Sequence, residues 1–397
     1  MANNQPGVVV TVKNLSAPRT ETRSAVPIFI GYTEKGAAYT LQPIDDFTEY
    51  QEFFGGAPHV VNEASNVGVL YYAIKHYFDN DGSGGFVLSL GTYDTALNMN
   101  GAQLLVALGD PRIGTAIAGQ PAITLITFPD MVLLPDGALS LWQEAWQLLL
   151  NLCQCRSGLF ALLETPDAPD SAVNCVSTFT GMHREWGAAY WPRLVSEYYE
   201  DGRPVVVPPS AAVAAAIERV DNSAGVWTAP ANVVLSKVID TTQSYLWVND
   251  KLVNGNASFN LIRSFPGRGV RVWGCRTLSA EANSPSRYVQ VRRLLSYIES
   301  NASRLARMFV FENNSEITWY KVKGQVSNWL NMLWVEGGLF GAEEEQAFSV
   351  KLGLDETMTE EDVRAGIMIM HIRLAPLYPA EFIELSLQFD MSTDRSM

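Results

Sequence analysis

The sequence predicts an α/β fold, α+β over the whole chain, and three observations carry that prediction. Short apolar runs alternate with amphipathic stretches from Val26 to about Glu200, the pattern of βαβ units on a mostly parallel sheet. Pro204, Pro208 and Pro209 then break the rhythm. Beyond them stand an alanine-rich helix, two long helices and a β-rich end.

The elements follow in order. Val8 to Val12 is strand-like, and the polar stretch after it, KNLSAPRTETRS, has nothing to pack with, so this segment reads as an arm that pairs outside its own core. VPIFIGYTEKG (Val26 to Gly36) reads as a buried strand ending in a turn. EASNVGVLYYAIKHYFDN is an amphipathic helix, GGFVLSLG a strand and AITLITFPD a further buried strand. LSLWQEAWQLLLNLCQC is a helix, GLFALLETP a strand, SAVNCVSTFTGMH a helix, and AAYWPRLV the last strand of this half. SAAVAAAIERVDNSAGVW is a helix ending near Gly225, and Gly269 to Gly274 is a strand. In the first long helix Val291, Leu294, Leu295, Ile298, Ala302, Leu305 and Phe309 fall on one side, with Arg293, Ser300, Arg304 and Arg307 opposite. The second, Thr318 to Glu336, buries Val322, Val326, Trp329, Leu330 and Leu333 and stops at Gly337-Gly338. AFSVKLG, GIMIMHIRLAP and AEFIELSLQFDM close the chain as strands.

Composition narrows the function. At 397 residues, 47% hydrophobic, the chain has material for a large core, and its net charge of −14 argues against a nucleic-acid binder. The charge is uneven. Nine arginines between Arg263 and Arg307 face only Glu281 and Glu299, and nine acids between Glu336 and Asp362 face only Lys351. Blocks of opposite sign on one chain suit head-to-tail contacts between subunits. The N-terminal stretch lacks the basic and apolar regions of a secretory signal. No window has the roughly 18 apolar residues of a membrane span. Cys153, Cys155, Cys175 and Cys275 follow no disulfide framework, which predicts reduced thiols and synthesis in a cytoplasm.

The chemistry-bearing patterns fail on inspection. Gly267-Arg268-Gly269 lacks the third glycine of a dinucleotide loop and leads into a strand, not a helix. DNDGSGG fits the start of a calcium loop, but the position for its bidentate glutamate is Leu90. His59, His76, His183 and His371 show no metal spacing, and no G-x-S-x-G occurs. The sequence thus predicts no catalytic, cofactor or metal site. An α/β enzyme binding a nucleotide or small ligand remains as an alternative on fold analogy alone, and a non-contractile shell or filament protein as a second.

Several blocks, in order, resemble the contractile tail sheath proteins of phages and of phage-tail-like extracellular injection systems. They are Pro6-Gly7-Val8, FIGYTEKG (Phe29 to Gly36), VPPSAAVAAAIERVDNSAGVWTAPAN (Val207 to Asn232), GVRVWGCRTLS, RYVQVRRLLSYIES and PAEFIELSLQF (Pro379 to Phe389). The resemblance implies a structural subunit that forms stacked, hexameric rings around an inner tube and contracts to drive that tube through a target envelope. Baseplate and tail terminator proteins would be further partners, without nucleic acid or membrane insertion, in a particle that acts outside the cell. It implies four regions: an N-terminal β arm (1–25), an outer α/β domain (26–203), an inner sheath domain (204–375) and a C-terminal β arm (376–397). Val8, Val9, Val10 and Val12, with Phe382, Ile383, Leu385, Leu387 and Phe389, would be the exchanged strands, added to neighbours' sheets. Arg293, Arg304 and Arg307, with Glu343, Glu344 and Glu345, are the candidate contacts with tube or neighbour.

Overall fold

A computed structural model describes residues 23–58, 68–244, 259–279, 281 and 284–378. The expected arm strands, at Val8 to Val12 and Phe382 to Phe389, lie outside them.

Among the described residues, nine strands form the main sheet. They are β1 (Pro27–Thr33), β2 (Leu41–Ile44), β3 (Gly85–Thr92), β4 (Leu125–Thr127), β5 (Phe160–Glu164), β6 (Gly187–Trp191), β9 (Val233–Val234), β11 (Asn260–Phe265) and β12 (Gly269–Trp273). Their spatial order is β2-β3-β1-β4-β5-β6-β11-β12-β9. The six from β3 to β11 are mutually parallel; β2 and β12 run antiparallel to them, and β9, antiparallel to β12, runs with the six.

The apolar runs are continuous because both faces of this sheet are covered. On one face α3 (Tyr93–Leu97), α4 (Gly101–Leu108), α5 (Pro111–Gly119), α6 (Leu139–Leu152) and α7 (Pro169–Ser177) pack against Ile28, Ile30, Ala161 and Leu163. On the other, α1 (Phe47–Phe54), α2 (Val69–Phe78) and α8 (Ser210–Ala224) pack against Phe29, Val87, Phe160 and Leu162. Successive residues of β1 and β5 therefore feed opposite cores, as a two-residue repeat requires.

Two expectations are corrected. AAYWPRLV is not one strand: it splits at Pro192, which has no N–H for the ladder. Its second part becomes β7 (Leu194–Glu200), in a separate three-stranded sheet with β8 (Arg203–Val207) and β10 (Val238–Thr241). The boundary expected at residues 203/204 does not divide the sheet. β11 pairs with β6, β12 and β9 follow it, and Ala211 to Ile217 of α8 are buried under the sheet. Pro204 lies within β8, and Pro208 and Pro209 stand between β8 and α8.

A second body of packing follows. α9 (Val289–Arg307) and α10 (Glu316–Val335) form a hairpin of helices. After it come α11 (Glu344–Ala347), β13 (Phe348–Lys351), α12 (Glu360–Arg364) and β14 (His371–Leu374). Leu294, Ile298 and Ala302 meet Val326, Leu330 and Leu333, with Phe348 and Val350 of β13 beneath. The antiparallel pair β13–β14 forms a two-stranded sheet with the register Phe348↔Leu374 to Lys351↔His371.

Candidate assembly surfaces

The first described residues, Arg23 and Ser24, are held by carboxylates of α8. That helix is rich in alanine, a strong helix former, and ends at Gly225, whose φ of +90° suits glycine. A Cβ on Gly225 would clash with the Trp227 ring. Glu218 and Asp221 sit three residues apart on α8, hence on one face. Glu218 is 2% exposed and accepts from Arg23 Nη2, from the hydroxyl of Ser83 and from Tyr77 Oη at 2.6 Å. Asp221 takes Arg293 of α9 in a fork, Nη2 to Oδ2 at 2.5 Å and Nη1 to Oδ1 at 3.0 Å. The same guanidinium donates to the Ser24 carbonyl at 3.1 Å, and Ser24 Oγ donates to Asp221 Oδ2 at 2.5 Å. Planar bidentate pairing of this kind fixes geometry as well as charge. The start of the chain's body is thus tied to α8 and α9 at both its backbone and its side chains.

This arrangement corrects the reading of Arg293. It was expected on a surface with Arg304 and Arg307, but it is 5% exposed, because α8 covers that side of the first turns of α9. Arg304 is half-buried beside Asn301, and Arg307 is exposed. Glu343, Glu344 and Glu345 are exposed around α11, Glu344 accepting from Asn331. Among the described residues no ion pair joins these glutamates to Arg304 or Arg307.

The rest of the basic block is largely bracing. Arg263 lies over the rings of Phe265 and Trp273, Arg271 donates to the Asn232 carbonyl at 2.9 Å, and Arg292 stacks on Trp186 at 4.2 Å. Gly267 and Gly269, at φ +71° and +74°, turn the chain between β11 and β12. The glycine loop is a hairpin, as its run into a strand predicts.

Two further surfaces were not visible in the sequence. The turn from α9 into α10 exposes Met308, Val310, Phe311, Ile317 and Tyr320, an apolar tip of the kind that marks an interaction site. The β13–β14 sheet has no third strand among the described residues, and two strands alone are marginal in water.

The carboxyl ends of the parallel strands, where open α/β sheets place ligands, are closed here. Asp130, just past β4, is fully buried and accepts the N–H groups of Tyr32 at 2.6 Å and of Leu70 at 3.2 Å. Gly31 is required beneath it, since a Cβ there would meet Asp130 Oδ2 at 2.5 Å. Burial pushes the Asp130 carboxyl up to about 7 against these two hydrogen bonds. Glu164, at the end of β5, is pushed by burial up to about 8 and accepts from the Ser210 N–H at the start of α8. Both carboxyls join helix starts to the sheet. Among the described residues no group of three or more His, Cys, Asp or Glu could hold a metal, and no described helix is long and apolar enough to cross a membrane.

A tied chain start, an open-edged sheet and exposed apolar and charged patches define a subunit made for assembly. The phage tail sheath protein central domain matches residues 159–278. A chain of the anti-feeding prophage (AFP) baseplate in its contracted state is 40% identical, with 99% of this chain and 100% of that one covered and a TM-score of 0.83. The PVC sheath complex of an extracellular contractile injection system, in its contracted state, is 29% identical over 98% and 99%, TM-score 0.72. The AFP helical sheath in its contracted state is 28% identical over 98% and 100%, TM-score 0.72. No curated protein matches the chain. The chain belongs to the contractile tail sheath family. Members of that family are structural proteins, so the enzyme alternative gives way.

Proposed function

We propose that this chain is the repeating subunit of a contractile sheath. It polymerises with itself as stacked rings around an inner tube, starts from a baseplate, and contracts to push the tube through a target envelope. The likeness of the whole chain to a subunit of a contracted particle carries this reading. Synthesis in a cytoplasm and later action outside the cell accompany it.

The mechanism uses the surfaces described above. The strand-like residues 8–12 and 382–389 add to neighbours' β13–β14 sheets, where main-chain hydrogen bonds join subunits whatever their rotation. The ties at Ser24 make each body move with its own arm. The body swivels as a rigid unit between two packings of the lattice, and a small gain per subunit accumulates along the sheath without nucleotide hydrolysis. The unit from α9 to β14 faces the tube, and the nine-stranded body lies outward. Arg304 and Arg307, with Glu343 to Glu345, are the charged contacts with tube or neighbour.

Deleting residues 1–20 tests the reading. The shortened chain keeps Arg23 and Ser24, so it is expected to fold with an unchanged circular dichroism spectrum and to form no tubular polymer by negative-stain microscopy. Normal striated tubes from the deletion would contradict it.

A further inference from the structure

The helix α10 carries an exposed apolar spot at each of its ends. The first is the turn from α9, where Met308, Val310 and Phe311 are exposed. Phe311 is fully exposed and has a φ of +77°, a conformation that bulky residues rarely take. The turn is nevertheless held firmly. Phe309, Trp319 and Val322 pack with Leu352 and Met358 in a small core of their own. Asn314 accepts from Trp319 Nε1 at 2.7 Å and donates to the carbonyls of Val363 and Ile367 at 3.3 and 3.1 Å. A strained, exposed ring on a braced turn costs stability without filling the chain's own core, which points to a role outside it. The second spot lies at the far end of α10, where Val335 and Phe340 are exposed. It is held as well: Trp334 Nε1 donates to the Gly341 carbonyl at 3.0 Å, and the Phe340 N–H to the Ala375 carbonyl at 2.8 Å. The charges beside the two spots are opposite. Arg307, four residues before Phe311, is exposed, and so is Glu343, three residues after Phe340. Of the acids at the first spot, Glu312 accepts from Lys321 at 3.1 Å, and Glu316 starts α10. Glu344 and Glu345 border a hollow shared with Lys323, Lys351 and Arg373, which leaves Glu343 as the acid for an outside cation.

We propose that the two spots bind each other between copies of this chain. The Phe311 tip of one copy sits against Val335 and Phe340 of the next, and Arg307 faces Glu343. The proposal rests on the reading of the chain as a self-assembling subunit and names which of its surfaces meet. Distance and charge decide the occupant. α10 has 20 residues, about 30 Å at roughly 1.5 Å per residue, so a copy's own tip lies far from its own Glu343. Apolar area with opposite charge at the two ends of one rod suits a second copy displaced along that rod. A contact between two different surfaces is heterologous, and its repetition gives rings or open helical polymers rather than a closed pair. That is the geometry a tubular wall needs.

Cross-linking in the polymer of the full chain tests it. Cys153, Cys175 and Cys275 are buried and Cys155 is exposed, so the background carries Cys155→Ser. Val310→Cys and Ala342→Cys, at exposed positions beside the two anchors, are made in separate chains and mixed before assembly. With a short bismaleimide, the expected result is 310-to-342 dimers, formed several-fold faster than in a control mixture of Val310→Cys with the exposed Met182→Cys. Joining of Val310→Cys chains to one another would show a tip-to-tip contact, and closure no faster than the control would place the tip elsewhere; either overturns the proposal. Phe311→Gly keeps the fold, since glycine accepts this φ, and its urea midpoint is expected at or above that of the parent. Assembly of that variant is expected to need at least about 10-fold more protein, as for loss of a central aromatic anchor; unchanged assembly would overturn the proposal. Arg307→Glu is expected to weaken assembly, and Glu343→Arg added to it to recover most of the loss; a double variant no better than the single would remove the pairing. A parent chain that forms no polymer at all sinks the sheath reading and this contact together. A parent that forms tubes without the 310-to-342 link sinks the contact alone.

Discussion

Replacing Asp221 by alanine is expected to cost about 3–5 kcal/mol of stability, the penalty for leaving one member of a buried ion pair alone. The structure places the pair in that class. The side chains of Asp221 and Arg293 are 2% and 4% exposed, so the guanidinium loses a partner that bulk water replaces poorly. Two hydrogen bonds from Arg293 and one from Ser24 disappear together. The double replacement Asp221→Leu with Arg293→Met removes both charges and is expected to recover most of the loss, since apolar groups of similar volume replace buried pairs at little cost. Ser24 nevertheless loses the guanidinium that holds its carbonyl. The double variant therefore separates stability of the core from the hold on the chain's start. Urea unfolding followed by tryptophan fluorescence measures the first. The rate of tryptic cleavage after Arg23 measures the second and is expected to rise in both variants. A cost below about 1 kcal/mol for Asp221→Ala, the size of a surface pair, would refute the reasoning.

Two further outcomes are expected. Asp130 and Glu164, lifted from ordinary values of 3.8 and 4.5 to about 7 and about 8, keep protons in the folded state that the unfolded chain has released. Their contribution to stability therefore falls as pH rises from about 4 to about 8, by up to about 1.4 kcal/mol per pH unit for each group. Glu164→Gln is expected to flatten that slope by about one group's share, and an unchanged slope in urea unfolding from pH 5 to 8 would contradict it. Arg304→Glu with Arg307→Glu is expected to leave the chain folded, with an unchanged circular dichroism spectrum, while impairing assembly or tube attachment. Normal sheaths from this variant would remove both residues from the contact.

The parallel sheet was legible because its signal is local. In β1 and β5 every residue is apolar or buried, with alternate residues facing alternate cores, and such runs between amphipathic helices admit few other folds. The helical repeat in α9 and α10 and the stops at Gly225 and Gly337 were legible for the same reason. The joining of β11 to β6 was not. Leu261 pairs with Trp191 across a long intervening stretch, and no local pattern announces a partner so far along the chain. Arg293 shows the other limit. A polar face on a helix looks alike whether it meets water or a carboxylate on another helix, so spacing alone placed it in the open. The signal that could have corrected it lay in α8, where Glu218 and Asp221, with Arg219 between them, follow the small and apolar run Ala211 to Ile217. Acids at that spacing on a buried helix call for cations, and Arg23 and Arg293 supply them.

The central claim is that neighbouring copies complete each other's β13–β14 sheet. A helical reconstruction of the polymer formed by the full chain measures this directly. The expected map shows a hollow cylinder with main-chain density beside β13 and β14, traceable to residues 8–12 of one neighbour and 382–389 of another. A polymer in which both edges of that sheet stay bare, with the arms folded back on their own subunit, would contradict the account.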